Sequence, residues 1–423
     1  MLFRTSLLFI FLLILTKAIG QTAKIDSISP FIFTPEFNFG HSFTDYNEFP
    51  NRRPQFNILL NFGWSNFNKN WDEKLKRTTT GISLGYSNFG NNESLGNAYS
   101  LMPFIKFDIS NNKRFSALLS VGTSYFTNKF NEEKNFGNKA VSTDFVWSFR
   151  SFFYYKLSRK KNPFSVGLGF FHHSNGHTRL PNQGLNSVLV SFSKPLINRT
   201  GNSEKQAMPT KTEKSKTANY FSFQSGLGIN SLSIPEPFND KGLVSRTSFD
   251  YGKILSKNIK VGVGAYYIFY EHYYNYISNN ESLVQDGREF ESLKNAPAWN
   301  ASALGISANG ELLLNHFSIE ARVGFNIHKP AYRIDKRINQ GWYFFPRSFP
   351  ADSGYPLGEF NTKYKLKRFI STRLGLNYHL ISNHKLPKHN VFIGAHINAN
   401  LGQADYTEFS IGYIHLFNRS KRP

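Results

Sequence analysis

The chain is 423 residues long, has no cysteine, and carries 50 basic against 28 acidic side chains for a formal net charge of +22. The missing cysteines exclude disulfide scaffolds, thiolate zinc sites, iron–sulfur clusters, cysteine nucleophiles and a lipidated N-terminal cysteine. Aromatic residues at 16%, charged residues at 18% and a mean hydropathy of -0.39 exclude disordered and coiled-coil classes and fit alternation of apolar and polar side chains.

The first element is a signal peptide over 1–20. Arg4 precedes an apolar run from Leu7 to Leu15, and Ala18-Ile19-Gly20 supplies a small-x-small cleavage pattern. The run is too short for a bilayer that needs roughly 20 apolar residues. Cleavage before Gln21 removes Arg4 and Lys17 and leaves 48 basic and 28 acidic residues.

From about residue 35 onward, segments of ten to fifteen residues alternate apolar with small or polar side chains between Asn, Gly, Lys and Pro clusters. That pattern predicts transmembrane β-strands. They start near Pro35, Pro54, Arg77, Gly96, Arg114, Ala140, Pro163, Gly184, Asn219, Leu243, Ile259, Ser302, Phe317, Lys365, His389 and Ala404. The expected fold is an all-β, antiparallel transmembrane barrel of the bacterial outer membrane with about 16 strands, built as one barrel or as an eight-strand half plus a second β half. The halves are 21–198 and 219–423, joined by the polar basic linker 199–218.

Loop lengths give the expected topology. The long connections 276–301 and 331–364 join odd to even strands and face the cell exterior, whereas the tight turns at Ser110–Lys113, Ser158–Asn162 and Asn315-His316 are periplasmic. Tyr266, Tyr267, Ile268, Phe269, Tyr270, Tyr273 and Tyr274 read as an interfacial aromatic girdle, with Glu271-His272 as a structural part of it. Basic loop residues Arg333, Lys336, Arg337 and Arg347 suit the anionic phosphates of an outer leaflet, and no nucleic acid is expected as partner. His396, Asn398, Asn400 and Glu408 alternate with apolar neighbours and are expected to line a lumen.

Chemistry concentrates in PFSVGLGFFHHSNGHTRLPNQGLNSVLVSF, residues 163–192. At period two, Phe164, Val166, Leu168, Phe170, His172 and Ser174 share the bulky, lipid-facing side, and Asn186 lies on the matching face of the next strand with Val188, Val190 and Phe192. A His and a Ser aimed into a membrane call for a functional reason. A hairpin closing symmetrically about Leu180 sets Ser174 opposite Asn186 and His172 diagonal to it, within about 5 to 8 Å. The three side chains form a candidate Ser–His–Asn triad, with Ser174 as nucleophile, His172 as general base and acid, and Asn186 fixing the imidazole tautomer. Asn175 and the Gly176 backbone are the candidate oxyanion and substrate-positioning groups. Counting up from Pro163 places the set at the outer interface, where lipid esters lie. A zinc cluster of His172, His173 and His177 is disfavoured, because the first two point to opposite faces.

His172-His173-Ser174-Asn175 followed by Pro181-Asn182-Gln183-Gly184-Leu185 resembles the motif of the lipid A 3-O-deacylase family, in which the His and Ser are catalytic. That resemblance implies an eight-strand barrel with the motif on strand seven and the third triad member opening strand eight. Asn186 stands where those deacylases carry Glu. His172-x-Ser174-Asn175-Gly176 with Asn186 also resembles outer-membrane phospholipase A, which implies a Ser–His–Asn triad, twelve strands, a calcium ion near the motif and a dimer.

The sequence therefore predicts an outer-membrane carboxylic ester hydrolase that removes an acyl chain from lipid A or lipopolysaccharide. Phospholipase A activity on phospholipid is the close rival, and a non-enzymatic porin-like barrel is the rival of another class. No cofactor is expected, calcium entering only with the phospholipase reading, since no Asp or Glu occurs between Gly176 and Asn186.

Overall fold

The computed structural model describes residues 31–43, 49–65, 78–110, 112–158, 162–198, 216–232, 240–255, 257–339 and 361–421. The expected signal peptide, Arg347 and most of the linker lie outside the described residues. So does much of the connection 331–364.

Alternation along each strand closes the chain into two barrels rather than one. The first holds β1 (Phe31–Phe43), β2 (Gln55–Ser65), β3 (Thr79–Asn88), β4 (Asn97–Asp108), β5 (Phe115–Phe126), β6 (Phe145–Lys156), β7 (Ser165–Ser174) and β8 (Leu185–Ser193). β1 pairs with both β2 and β8, which closes the ring, and a two-residue β9 (Ile197–Asn198) adds to β1 at Ile32 and Phe33. The second holds β10 (Lys216–Leu232), β11 (Asp240–Leu255), β12 (Ile259–Tyr270), β13 (Ser302–Leu314), β14 (Phe317–His328), β15 (Ile370–His379), β16 (His389–Asn400) and β17 (Gln403–Lys421). It closes through β10 and β17. Sixteen long strands match the expected number. Closure at eight in each half removes every open edge, which a strand in hydrocarbon requires.

Outward positions are apolar: Phe153, Leu168 and Phe409 are 60, 58 and 69% exposed. Inward positions carry small and polar side chains together with buried apolar layers, in the first barrel Met102, Phe104, Leu118, Phe152, Phe171 and Leu189, which fill the tight interior of an eight-strand barrel. In the first barrel Ser100, Ser124, Ser148 and His173 form one hydrogen-bonded row across β4 to β7, with successive distances of 2.7, 2.6 and 2.8 Å. The Glu36 carboxylate sits lower in the same lumen and accepts from Tyr154, Ser191 and Asn61 and from Arg150 at 3.3 Å. The second lumen is more heavily charged. Arg322 donates twice to Asp250, Arg373 joins Glu320 to Glu408, and Lys260 meets Glu311 at 2.6 Å. His396, Asn398, Asn400 and Glu408 are buried there, in the lumen that the alternation assigns them. A cavity between Arg246, Tyr266, Arg322, Arg373 and Tyr406 offers about 10 Å³, the room of one water.

Three sequence expectations change. Residues 140–144 form a loop, and the strand expected from Ala140 begins at Phe145. The strand expected from Lys365 begins at Ile370, after a helix at Asn361–Phe369. The aromatic run is split by its own periodicity: Tyr267 and Tyr274 are exposed, whereas Tyr266, Tyr270 and Tyr273 are buried. They pack in an apolar cluster with Leu283, Val284, Phe290 and Ile334 that caps the second barrel. Glu271 starts the helix Glu271–Ser278, its carboxylate accepting from Leu243 N–H at 2.7 Å, and His272 is buried. No helix among the described residues is long and apolar enough to cross a membrane.

Candidate active site at the β7–β8 turn

Strand β7 ends with His172 half-buried on the outer face and His173 inward, whereas Ser174, expected to face lipid, is buried at the rim under the turn. His173 is fully buried against Phe89, Phe126 and Phe171, and its Nδ1 meets Ser148 Oγ. That inward anchor fixes the strand end. His172 is then turned to the outer surface beside Phe170, whose ring stacks on it at 6.3 Å.

The register differs from a hairpin centred on Leu180. His172 pairs directly with Asn186, His173 pairs with Leu185, and the β7–β8 ladder stops there. Ser174 pairs instead with Trp147 of β6. The cause lies in residues 183 and 184, whose N–H groups donate to Lys139 and Ala140 carbonyls of the preceding loop at 3.0 and 2.9 Å. Gly184 has a φ of +73°, and a Cβ there would lie 3.1 Å from His172 Cε1, so this close approach to the imidazole suits glycine. Beneath the turn, Leu185 packs with Phe89, Phe126, Ala140, Val141 and Val146.

The His172 and Asn186 side chains meet: Nδ1 and Oδ1 are 2.7 Å apart. With Nδ1–H donating to that oxygen, Nε2 carries the free lone pair. Ser174 Oγ is held elsewhere, accepting from Asn182 Nδ2 at 2.9 Å and from Gly176 N–H at 3.2 Å. His172 and Ser174 make no hydrogen bond to each other in this arrangement. A rotation of the serine side chain would be needed to bring them together.

The Asn175 amide, expected beside an oxyanion, organises the turn instead. It donates to Ser142 Oγ and to the Arg179 carbonyl at 2.9 and 2.7 Å, while its Oδ1 accepts from His177 N–H. Gly176 keeps its backbone N–H on the serine oxygen. Asn182 is the residue whose contact with Ser174 the spacing argument did not reach. Its Oδ1 also accepts from Asn175 N–H at 3.0 Å, so one side chain replaces the missing strand partner and presents a donor to Ser174. The signal was present in Pro181-Asn182-Gln183-Gly184, but only a turn closed by a side chain gives it meaning.

His177 follows Gly176 in left-handed backbone, at φ values of +65° and +67°. Its ring is buried, which lowers its pKa below the usual histidine value while Asp405 pulls the other way. His172 and His173 point to opposite faces, and among the described residues no group of three His, Asp or Glu is arranged to hold a metal ion.

Residues 55–195 match the family model described as lipid A 3-O-deacylase (PagL), and residues 219–345 match that described as acyloxyacyl hydrolase, C-terminal domain. Together they take in more than half of the chain. No curated protein is similar to it at a significant level. Among solved structures, the chain is similar to the outer membrane enzyme PagL, at 16% identity over 38% of this chain and 99% of that one, with a TM-score of 0.29. It is also similar to an outer membrane channel from Pseudomonas putida F1, at 8% identity over 94% and 99% of the two chains, with a TM-score of 0.17.

Proposed function

The chain belongs to the lipid A 3-O-deacylase family of bacterial outer-membrane barrels, and from that premise we propose that it removes an acyl chain from lipid A through Ser174, His172 and Asn186. The observation that carries the roles is the 2.7 Å contact between His172 and Asn186 on the membrane-facing surface, because it leaves Nε2 as a base. Lipid enters laterally, from the leaflet, and its ester carbonyl comes to the rim.

Ser174 rotates away from Asn182 and gives its proton to His172 Nε2 as Oγ attacks the carbonyl carbon. Negative charge on the tetrahedral oxygen is met by Gly176 N–H and Asn182 Nδ2, the two donors that the resting serine holds. The imidazolium returns its proton to the departing sugar hydroxyl, leaving an acyl-enzyme. Water activated by the same nitrogen hydrolyses it and frees the fatty acid. Asn186 holds the ring and its tautomer without accepting a proton.

The filled lumens speak against a porin, since both are crossed by side-chain networks. The test is mass spectrometry of lipid A and phospholipids from membranes carrying the parent or Ser174→Ala. Loss of one ester-linked acyl chain from lipid A with the parent alone is the expected result. Equal products from both preparations would sink the reading.

A further inference from the structure

The two barrels touch at the rim that holds the candidate site. Trp147 Nε1 donates to Thr407 Oγ1 at 3.0 Å, and the same hydroxyl lies 3.5 Å from the Gly176 carbonyl. Ser231 N–H, at the end of β10, donates to the His177 carbonyl at 3.1 Å. The second barrel thus hydrogen-bonds the His177 carbonyl and lies against that of Gly176, the two left-handed residues of the turn. A Cβ on Gly176 would fall 2.1 Å from Thr407 Oγ1, so the contact leaves no room for a side chain.

Thr407 occupies the outward face of β17, in line with the lipid-exposed Phe409 and Ile411. A hydroxyl beside such an apolar face is best satisfied by a protein partner. Its partners belong to the peptide that follows Ser174 and to Trp147, which pairs with Ser174 across the ladder. Non-glycine residues in left-handed backbone persist where their surroundings over-determine them. At His177 the N–H is fixed from within the first barrel by Asn175, and the C=O from the second barrel by Ser231.

We propose that the second barrel is a positioning element for the hydrolytic site of the first, with Thr407 as a positioning residue that touches the Gly176 carbonyl, restricts rotation about the Gly176 backbone and so keeps the N–H on its other side aimed at Ser174. The inference rests on the reading of Ser174 as nucleophile. It gives the second barrel a part in turnover with no reacting group of its own.

The test uses the full-length protein in detergent micelles with purified lipopolysaccharide as substrate, comparing the parent with Thr407→Val and Thr407→Ser. Misplacing a catalytic group by a fraction of an ångström to an ångström lowers kcat by roughly tenfold to a hundredfold. Thr407→Val should therefore lose that much in kcat at unchanged KM, and Thr407→Ser should recover most of it. Hydrogen exchange of peptides spanning 172–185 should quicken in Thr407→Val and not in Thr407→Ser. Parent-like kcat and exchange in Thr407→Val would overturn the proposal, as would a fall in kcat without faster exchange. If Ser174→Ala keeps the parent's activity, the hydrolase reading fails on its own, and the exchange arm still decides whether the brace exists.

Discussion

The two barrels have equal strand number and unlike interiors. The first combines short hydroxyl side chains with an apolar layer around Phe152, Phe171 and Leu189, keeps one Arg150–Glu36 pair buried among them, and ends its serine row on His173 directly behind the candidate site. The second runs its charges into a connected set, Asp250 to Arg322 to Glu320 to Arg373 to Glu408, and covers one rim with helices. Buried charges in such a set hold one arrangement, because each loses heavily if a partner moves. In the first barrel the interior supports the strand end that carries the candidate site on its outer face. In the second it stiffens a body whose outward cluster, His389, Tyr413 and His415, contains no serine.

Replacing a reacting group should break this comparison most sharply. Ser174→Ala and His172→Ala are each expected to lose at least about a thousandfold in acyl release. Both should still insert and run as heat-modifiable barrels, because neither side chain lies in a lumen network. A parallel fall in folded yield would make them structural residues. The opposite signature belongs to the second barrel. Glu320→Ala removes the carboxylate that Arg322 and Arg373 share and should cost roughly 3–5 kcal/mol of stability. Denaturant midpoints would report it, with turnover per folded molecule unchanged. A selective loss of turnover at an unchanged midpoint would place Glu320 in the chemistry.

A smaller effect sharpens the division of labour inside the site. Asn186→Ala keeps the base and loses only its orientation, so kcat should fall by roughly tenfold to a hundredfold with KM little changed. A loss as large as that of Ser174→Ala would mean that Asn186 does more than hold the ring.

These residues also mark how far the sequence could be read. Strict alternation exposes which way a strand residue points, so the outward placement of His172 and Asn186 and the burial of His396 and Glu408 follow from period two alone. Register does not follow, because it depends on how the turn closes. Here Asn182 and the carbonyls of Lys139 and Ala140 end the ladder two residues from the symmetric position. Closure into two rings was equally hidden. The β10–β17 pairing joins residues nearly two hundred positions apart, and nothing local in either strand encodes it. The contact of Thr407 with Gly176 belongs to the same class, set by the docking of two finished barrels.

The smallest expected effect is that of chelation, and it separates the two lipolytic readings on the first barrel. A hard cation seeks several oxygen ligands, preferably carboxylates, and the stretch from Gly176 to Asn186 has none. Its carbonyls are the remaining source, and those nearest Ser174 are engaged. The Asn175 carbonyl accepts from Thr178, the Gly176 carbonyl faces Thr407, the His177 carbonyl accepts from Ser231, and the Arg179 carbonyl accepts from Ser142 and Asn175. A calcium ion bound through these carbonyls would compete with these bonds and, with them, the hold of the second barrel on the turn. Lipid A hydrolysis is therefore expected to run at the same rate with and without a chelator, measured together with phospholipid hydrolysis in one membrane preparation. Activity lost on chelation and restored by calcium, with phospholipid as the lipid cleaved, would transfer Ser174, His172 and Asn186 to the phospholipase reading.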